Sequence, residues 1–326
     1  MRFETQSIPA AVACILVDWG TTNLRAWAMG AEGTMIERRD SPRGLLAVEG
    51  GRFAEALMEV CGNWLAGRER LPVIMSGMVG SKLGWKEVPY LAAPVALDEL
   101  GGHLSPIEAP QTVAARIVPG VRLDDPAQPE VMRGEETQIL GALQELGIDD
   151  GVFLLPGTHS KWAVVEGRRL AAFRTYMTGE IYSLLRCAGT LCQLMEGEGA
   201  DDDAFRQGVR RAQSAEAGNL LHSLFSVRTL GLLDRLPRRD LAGYMSGLLI
   251  GAELQDGLTW LGARGKPSKV VGIGSPDMLK AYDMAAGLCG LGFNRLDSAT
   301  VTPRALMSIA LSAGLLASGG RASRTG

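Results

Sequence analysis

Four short constellations in this sequence carry residue types that can do chemistry. The first runs Val17-Asp18-Trp19-Gly20-Thr21-Thr22-Asn23-Leu24-Arg25. An apolar run delivers a carboxylate, and a tight turn of Gly20, Thr21, Thr22 and Asn23 follows. Backbone N–H groups and short hydroxyls in such a turn can surround phosphate oxygens. Asp18 is then placed to hold Mg²⁺ through water, because Mg²⁺ prefers oxygen ligands and keeps much of its hydration. The plainer account is an ordinary hairpin whose Asp hydrogen-bonds the turn. The second constellation, Leu155-Pro156-Gly157-Thr158-His159-Ser160-Lys161, repeats the theme. Lys161 can reach a phosphate as a point charge or stand solvated. The third, Val271-Gly272-Ile273-Gly274-Ser275-Pro276, ends a strand and opens a helix. Gly272 and Gly274 let backbone approach a flat ligand, and the helix start at Ser275 favours anions. A dinucleotide site is rejected there, since the third glycine of that pattern is missing. The fourth, Arg133-Gly134-Glu135-Glu136-Thr137-Gln138, begins a helix. Its glutamates suit the helix dipole alone, or one of them is a general base for a substrate hydroxyl.

The elements around these residues read as follows. Ala13 to Val17 is a buried strand, and two more strands follow in a meander, at Asn23 to Met29 and Thr34 to Arg39. A meander argues against a Rossmann start, where the phosphate turn opens straight into a helix. Phe53 to Leu65 has helical spacing, and Pro72 to Ser76 is a strand. Gly77 to Pro94 reads as a functional loop rich in Gly and Pro. A helix over Gly134 to Leu146 stops at Gly147. A second meander then covers Val152 to Leu155, Lys161 to Val165 and Leu170 to Tyr176. Helices are expected over Thr178 to Met195, Ala204 to Ala215, Leu220 to Leu233 and Leu241 to Leu261. A strand at Val270 to Ile273, a helix at Asp277 to Leu288 and a last helix from about Pro303 to Ala317 complete the chain. The repeated meander predicts two related lobes with a cleft between them, at residues 1–146 and 147–326, the last helix packing back toward the first lobe.

The chain has 326 residues and a net charge of −3, with no basic stripe for nucleic acid. No apolar stretch is long enough to span a membrane, and MRFETQSIP lacks the order of a signal peptide. It reads as a loose leader, and the tail from Gly319 to Gly326 as frayed. The five cysteines form no metal-spaced set and read as mostly buried, reduced thiols of a cytoplasmic protein.

In this order the four constellations resemble those of the actin-like ATPase superfamily, with its two RNase H-like lobes. Asp18 to Arg25 is similar to its first phosphate motif, Pro156 to Lys161 to its second, and Gly272 to Pro276 to its adenosine motif. Glu135 stands where glycerol-kinase-like relatives have a catalytic Asp. Further segments bring a closer resemblance, to the 2-dehydro-3-deoxygalactonokinases: Ser76-Gly77-Met78-Val79-Gly80-Ser81 with Trp85 and Tyr90, Arg133 to Gln138, Leu155 to Trp162, and Met177-Thr178-Gly179-Glu180. That resemblance implies ATP- and Mg²⁺-dependent phosphorylation of the C6 hydroxyl of 2-dehydro-3-deoxy-D-galactonate in galactonate breakdown. It gives Asp18 to the metal, Glu135 to the base, and Gly20, Thr21, Thr22, Asn23, Gly157, Thr158, His159, Ser160, Lys161, Gly272, Gly274 and Ser275 to the nucleotide. Arg25, Gly77, Met78, Ser81, Trp85, Tyr90, Arg133 and Glu180 fall to the sugar acid, whose carboxylate calls for cationic or N–H donors; the alternatives are Trp85 as a buried anchor of the lobe and Arg25 and Arg133 as structural partners of Asp18, Glu135 or Glu136. The competing classes are a same-fold kinase for another sugar acid, ketose or polyol, and a non-catalytic sugar sensor or filament former. The oligomeric state stays open, a homodimer being one candidate.

Overall fold

The computed structural model describes residues 12–68, 70–108, 113–197, 201–214, 219–262, 265 and 269–316. The expected leader and tail lie outside them. Contacts group the described residues of Met1–Asp149, Glu166–Ala171 and Ala299–Gly326 into one unit, and those of Asp150–Val165 and Ala172–Ser298 into a second.

In the first unit, β1 (Val12–Trp19), β2 (Leu24–Gly30) and β3 (Met35–Ser41) form the expected meander, followed by α1 (Phe53–Leu65) and β4 (Leu71–Gly77). Short strands β5 (Leu91–Ala92), β6 (Val95–Ala96) and β7 (Ser105–Pro106) lead to β8 (Val113–Ile117), β9 (Val121–Leu123) and β10 (Glu130–Met132), and then to α2 (Glu135–Leu146). The main sheet runs β3-β2-β1-β4-β8-β7, and a small one runs β10-β9-β5. β1 is antiparallel to β2 and parallel to β4, which is parallel to β8. A parallel central strand is covered on both faces, which explains the unbroken apolar run before Asp18. Ile15 and Val17 from β1 pack with Phe53, Leu57, Val60 and Trp64 from α1, the spacing that marks that helix in the sequence. α2 ends at Gly147, left-handed at φ 63°, whose N–H donates to the Leu143 carbonyl.

The second unit repeats the plan. Its meander is β11 (Gly151–Leu155), β12 (Ser160–Glu166) and β13 (Arg169–Tyr176). Helices α3 (Thr178–Cys187), α4 (Gly189–Cys192), α5 (Asp202–Gln213), α6 (Leu220–Leu232) and α7 (Leu241–Gly262) precede β14 (Lys269–Gly274), α8 (Pro276–Leu288) and β15 (Gly292–Asp297). The strands run β15-β14-β11-β12-β13, with β11 antiparallel to β12 and parallel to β14. Both sheets therefore have the RNase H-like order of a three-stranded meander extended by parallel strands on the side of its first strand. The last helix, α9 (Ser298–Ser312), follows.

Several expectations are corrected. The helix expected over Thr178 to Met195 breaks into α3 and α4, because Ala188 is extended and Gly189 takes φ 84°. α9 starts at Ser298, so Pro303 lies inside it rather than in its first turn. The Gly77 to Pro94 stretch holds a 3-10 turn at Met78–Gly80 and the start of β5. Cys14 and Cys61 are buried, whereas Cys187 is exposed and Cys192 and Cys289 are half-buried. Among the described residues, no helix is long and apolar enough to cross a membrane.

Candidate active site

In the first unit, the site grows from the carboxyl ends of β1 and β4. Their parallel register sets Asp18 beside Ser76 and Trp19 beside Gly77. Gly77 takes φ 92°, and a Cβ on it would lie 2.7 Å from the Trp19 carbonyl oxygen and 3.4 Å from Asp18 Oδ1. Only glycine fits such a backbone at such a distance. Gly134, at φ 106°, approaches in turn, and a Cβ there would be 3.1 Å from the Gly77 Cα. This close stacking brings the start of α2, and so Glu135, to the end of β1. The Glu135 carboxylate accepts a hydrogen bond from the Arg133 N–H at 2.9 Å. Its negative charge is felt by Asp18, whose carboxyl is pushed up to about 6. Burial is the main cause, the Arg25 guanidinium opposes it, and Glu135 adds to it. Arg25 Nη1 lies 3.5 Å from Asp18 Oδ2.

Glu136 points the other way, into the interior. Its carboxylate accepts from the Gly134 N–H at 2.7 Å and from the Thr137 hydroxyl at 2.9 Å. Burial first, and then the charge of Glu135, push its carboxyl up to about 7. Successive helical side chains diverge by about 100°, and of this pair it is Glu135 that stays partly exposed beside Asp18.

The hairpin after Asp18 presents donors. The Gly20, Thr21 and Thr22 carbonyls accept from the N–H groups of Leu45, Leu46 and Gly44, and the Asn23 carbonyl accepts from the Gly20 N–H. With its carbonyls taken, the turn offers N–H groups and the Thr21 and Thr22 hydroxyls, the latter bonded by the Asn23 amide at 3.1 Å. That arrangement suits an anion.

The loop after β4 is held by Arg133. Its Nη2 donates to the Val88 carbonyl at 2.6 Å, and its guanidinium lies 4.3 Å over the Tyr90 ring. Nε and Nη1 are buried with no hydrogen-bond partner among the described residues. Gly80 abuts the guanidinium, a Cβ there lying 2.8 Å from Nη1, Ser81 is buried, and Met78 is half-buried next to Gly77. Trp85 stacks on Phe53, with ring centres 6.3 Å apart, and meets Trp19 edge-on. It anchors the loop to the core.

In the second unit, the turn after β11 carries Gly157, Thr158 and His159, the latter two exposed. Glu180 braces it. The Glu180 N–H donates to the Thr158 carbonyl at 2.9 Å, and its carboxylate pairs with His159 Nε2 at 2.6 Å. Ser160 and Lys161 are both buried, so Lys161 is not the solvated lysine of the plainer account. Gly274 abuts Pro156, its Cβ position 3.7 Å from that ring. The third constellation thus borders the second. Gly272 has a packing reason instead: the Phe293 ring fills the space a side chain would need. Ser275 caps α8, its hydroxyl accepting from the Met278 N–H at 3.5 Å. Thr178 opens α3 without capping it. Met177 holds the cap position, and the Thr178 hydroxyl donates to Glu253. A cavity of about 470 Å³, lined by Tyr176, Thr178, Asn219, Glu253 and Asp256 among others, includes none of the candidate site residues. Glu253 was not selected by sequence reasoning. Its one signal is a carboxylate in the apolar stretch Leu248 to Leu254.

Among the described residues, no cluster of three or more His, Cys, Asp or Glu could hold a metal by itself. Mg²⁺ does not need one, since it usually takes one or two carboxylates and completes its shell with phosphate and water. Asp18 fits that use: a strand-end carboxylate in a partly buried place, beside a turn of free donors.

Comparison with known proteins gives a concordant picture. Residues 18–309 match the family model of the 2-keto-3-deoxy-galactonokinases. The 2-dehydro-3-deoxygalactonokinase of Escherichia coli (strain K12) is 37% identical over 240 residues, 74% of this chain and 78% of that protein. A crystal structure of a Sinorhizobium meliloti protein, solved as a candidate 2-dehydro-3-deoxygalactonokinase, aligns with a TM-score of 0.83. It is 31% identical and covers 94% of this chain and 99% of that one. Component A of Acidaminococcus fermentans (R)-2-hydroxyglutaryl-CoA dehydratase shares the fold alone, at TM-score 0.50 and 11% identity, over 92% of this chain and 98% of that one.

Proposed function

The chain belongs to the 2-keto-3-deoxy-galactonokinase family, and from that premise we propose that it transfers the γ-phosphoryl group of ATP to the C6 hydroxyl of 2-dehydro-3-deoxy-D-galactonate, with Glu135 as the base. The observation that carries this reading is the convergence of Asp18, Gly77, Gly134 and Glu135 at the ends of β1 and β4. Phosphoryl transfer needs positioning and charge stabilisation more than covalent help from the protein. The donor-rich turn Gly20–Asn23 would hold phosphate oxygens, and the turn Gly157–His159 is the second nucleotide element. Asp18 would hold Mg²⁺, which when bound neutralises charge on the phosphates. Glu135 accepts the proton that the hydroxyl gives up as it attacks. Its placement supports this role better than that of Glu136, whose two oxygens are engaged inside the helix start.

For the substrate carboxylate, Arg133 is the supported group: a buried cation with two unengaged donor nitrogens, next to Gly80 and Tyr90. Met78 and Arg25 border the same strand ends. The test is a coupled ATP assay over a panel of 2-keto-3-deoxy sugar acids, hexonate epimers and neutral polyols. The expected result is turnover of the galacto acid, with neutral polyols inert. Preferred turnover of a neutral polyol would refute the assignment. Its use of ATP and a catabolic intermediate puts the enzyme in the cytoplasm.

A further inference from the structure

Glu253, on α7, accepts hydrogen bonds from four side chains, and it lies outside every motif. It is 4% exposed. Oε1 accepts from Ser160 Oγ at 2.6 Å and from Trp162 Nε1 at 2.9 Å. Oε2 accepts from the Thr178 hydroxyl and from the Tyr282 hydroxyl at 2.7 Å. Burying a carboxylate is costly, and replacing a buried charge by apolar residues is often neutral or stabilising. Packing alone therefore gives no reason for a glutamate here.

What a carboxylate does that no other side chain can is accept at both oxygens, twice each, with no donor of its own. Its four partners come from three segments. Ser160 and Trp162 lie two apart on β12, hence on one face, and Ser160 directly follows the turn Gly157–His159. Thr178 opens α3, and the next two residues touch that same turn. A Cβ on Gly179 would lie 2.2 Å from the Gly157 carbonyl oxygen, while Glu180 binds Thr158 and His159. The fourth partner, Tyr282, sits on α8 and touches no residue of the turn by these bonds.

We propose that Glu253 is a positioning residue for phosphate binding: by gripping Ser160 and Thr178 at once, it fixes the two walls between which the turn Gly157–His159 is shaped. This rests on the reading of that turn as a nucleotide element. Loosening either grip lets α3 shift against β12, and the turn loses the spacing its N–H groups need. A hydrogen bond to a charged acceptor is among the stronger ones, so losing one matters at the binding step.

The test uses the full-length enzyme, ADP with Mg²⁺ as the calorimetric probe, and steady-state kinetics. Thr178→Val and Tyr282→Phe each delete one hydroxyl on the same carboxylate oxygen with little change of shape. Thr178→Val should weaken ADP binding and raise the KM for ATP about tenfold, the size of one such bond. Tyr282→Phe should lower the melting temperature as much yet leave both within about twofold. Glu253→Leu should weaken ADP at least as much as Thr178→Val. Glu253→Gln should fall between wild type and Glu253→Leu, because its amide oxygen can still accept from Ser160 and Trp162 while the charge that strengthens all four bonds is gone. If the two hydroxyl deletions move stability and ADP affinity alike, or if neither moves affinity, Glu253 is merely structural and the proposal fails. Gly157→Val separates the premise, since a Cβ on Gly157 meets nothing within 4 Å and the variant's unfolding curve checks that it folds. If wild type binds ADP and Gly157→Val binds it equally well, the turn is not a nucleotide element and both readings fall. If Gly157→Val weakens ADP but Thr178→Val does not, only the positioning role falls.

Discussion

Glu136→Gln should make the protein more stable above neutral pH and leave it active. The Glu136 side chain is wholly buried, and its carboxyl is pushed up to about 7 from an ordinary 4.5, by burial first and then by Glu135. In the unfolded chain the same carboxyl ionises near its ordinary value. Between these two pH values the native state holds a proton that the unfolded state has released. Stability therefore falls as pH rises through that window, and the loss is complete above about pH 7. The full span corresponds to ~3 kcal/mol. Glutamine keeps the shape and carries no charge. Its carbonyl oxygen can accept from the Gly134 N–H, and its amide can donate to the Thr137 hydroxyl, which is able to accept. Urea unfolding at pH 5 and pH 8 should then show a gain of ~2–3 kcal/mol at pH 8, shrinking to well under half of that at pH 5. The kcat should stay within about threefold, as expected for a residue that does not exchange protons with substrate. A variant less stable than wild type at pH 8 would refute the electrostatic argument. A loss of kcat on the order of 100-fold would show that Glu136, not Glu135, is the base.

Three further outcomes follow from the same cluster. Glu135→Gln should lose on the order of 10²-fold or more in kcat with a smaller change in KM, measured on protein whose unfolding curve matches wild type; near-native kcat would move the base elsewhere, with Glu180 tested next. Asp18→Asn should nearly abolish turnover while the fold persists, and wild type should need more Mg²⁺ for half-maximal activation as pH falls through about 6, where Asp18 takes up a proton; a Mg²⁺ requirement flat from pH 7.5 to ~5.5 would count against Asp18 as the metal's carboxylate. Gly77→Ala should cost on the order of 1–3 kcal/mol, from strain at φ 92° and a clash with the Trp19 carbonyl; an unchanged denaturation midpoint would mean that the close approach of β1 and β4 is easily relaxed.

What was legible in the sequence is what local pattern encodes. The run Ala13 to Val17 reads as a covered strand because Cys14 to Val17 are buried on both faces, and its end at Asp18 is visible as a change of residue type. Phe53 to Leu65 shows its buried face at helical spacing, and Gly147 marks the stop of α2. Features set by distant partners were not legible. β15 alternates Phe, Asn and Arg on an exposed edge and carries no apolar signal; its pairing with β14 makes it a strand. The break at Ala188 and Gly189 hides in a segment that otherwise keeps helical spacing. Helical geometry alone says that Glu135 and Glu136 diverge, but not which one faces Asp18. That is decided by Gly134 settling on Gly77, a contact between residues 57 positions apart in the chain.

The two turns proposed to bind phosphate occupy the same place in two copies of one topology, yet they are braced by different means. The hairpin Gly20–Asn23 is held to its neighbours mainly by backbone: three carbonyls are taken by the segment Gly44–Leu46 and the fourth by Gly20, with one side-chain bond, Asn23 to Thr22, inside it. Backbone bonds survive most side-chain changes, so this turn should tolerate substitution around it as long as Gly44 can lie against Thr22. The turn Gly157–His159 has one such backbone bond, from the Glu180 N–H to Thr158, and otherwise depends on side chains, the Glu180 carboxylate at the rim and Glu253 beneath, which grips the walls on either side. A side-chain brace concentrates the geometry in a few residues, and one substitution far from the turn can undo it. The visible motif is therefore the same at both sites, whereas sensitivity to mutation should not be. A scan of Leu45 and Leu46 ought to move nucleotide affinity little, while changes at Thr178 or Glu253, neither of them in a recognised phosphate motif, ought to move it most.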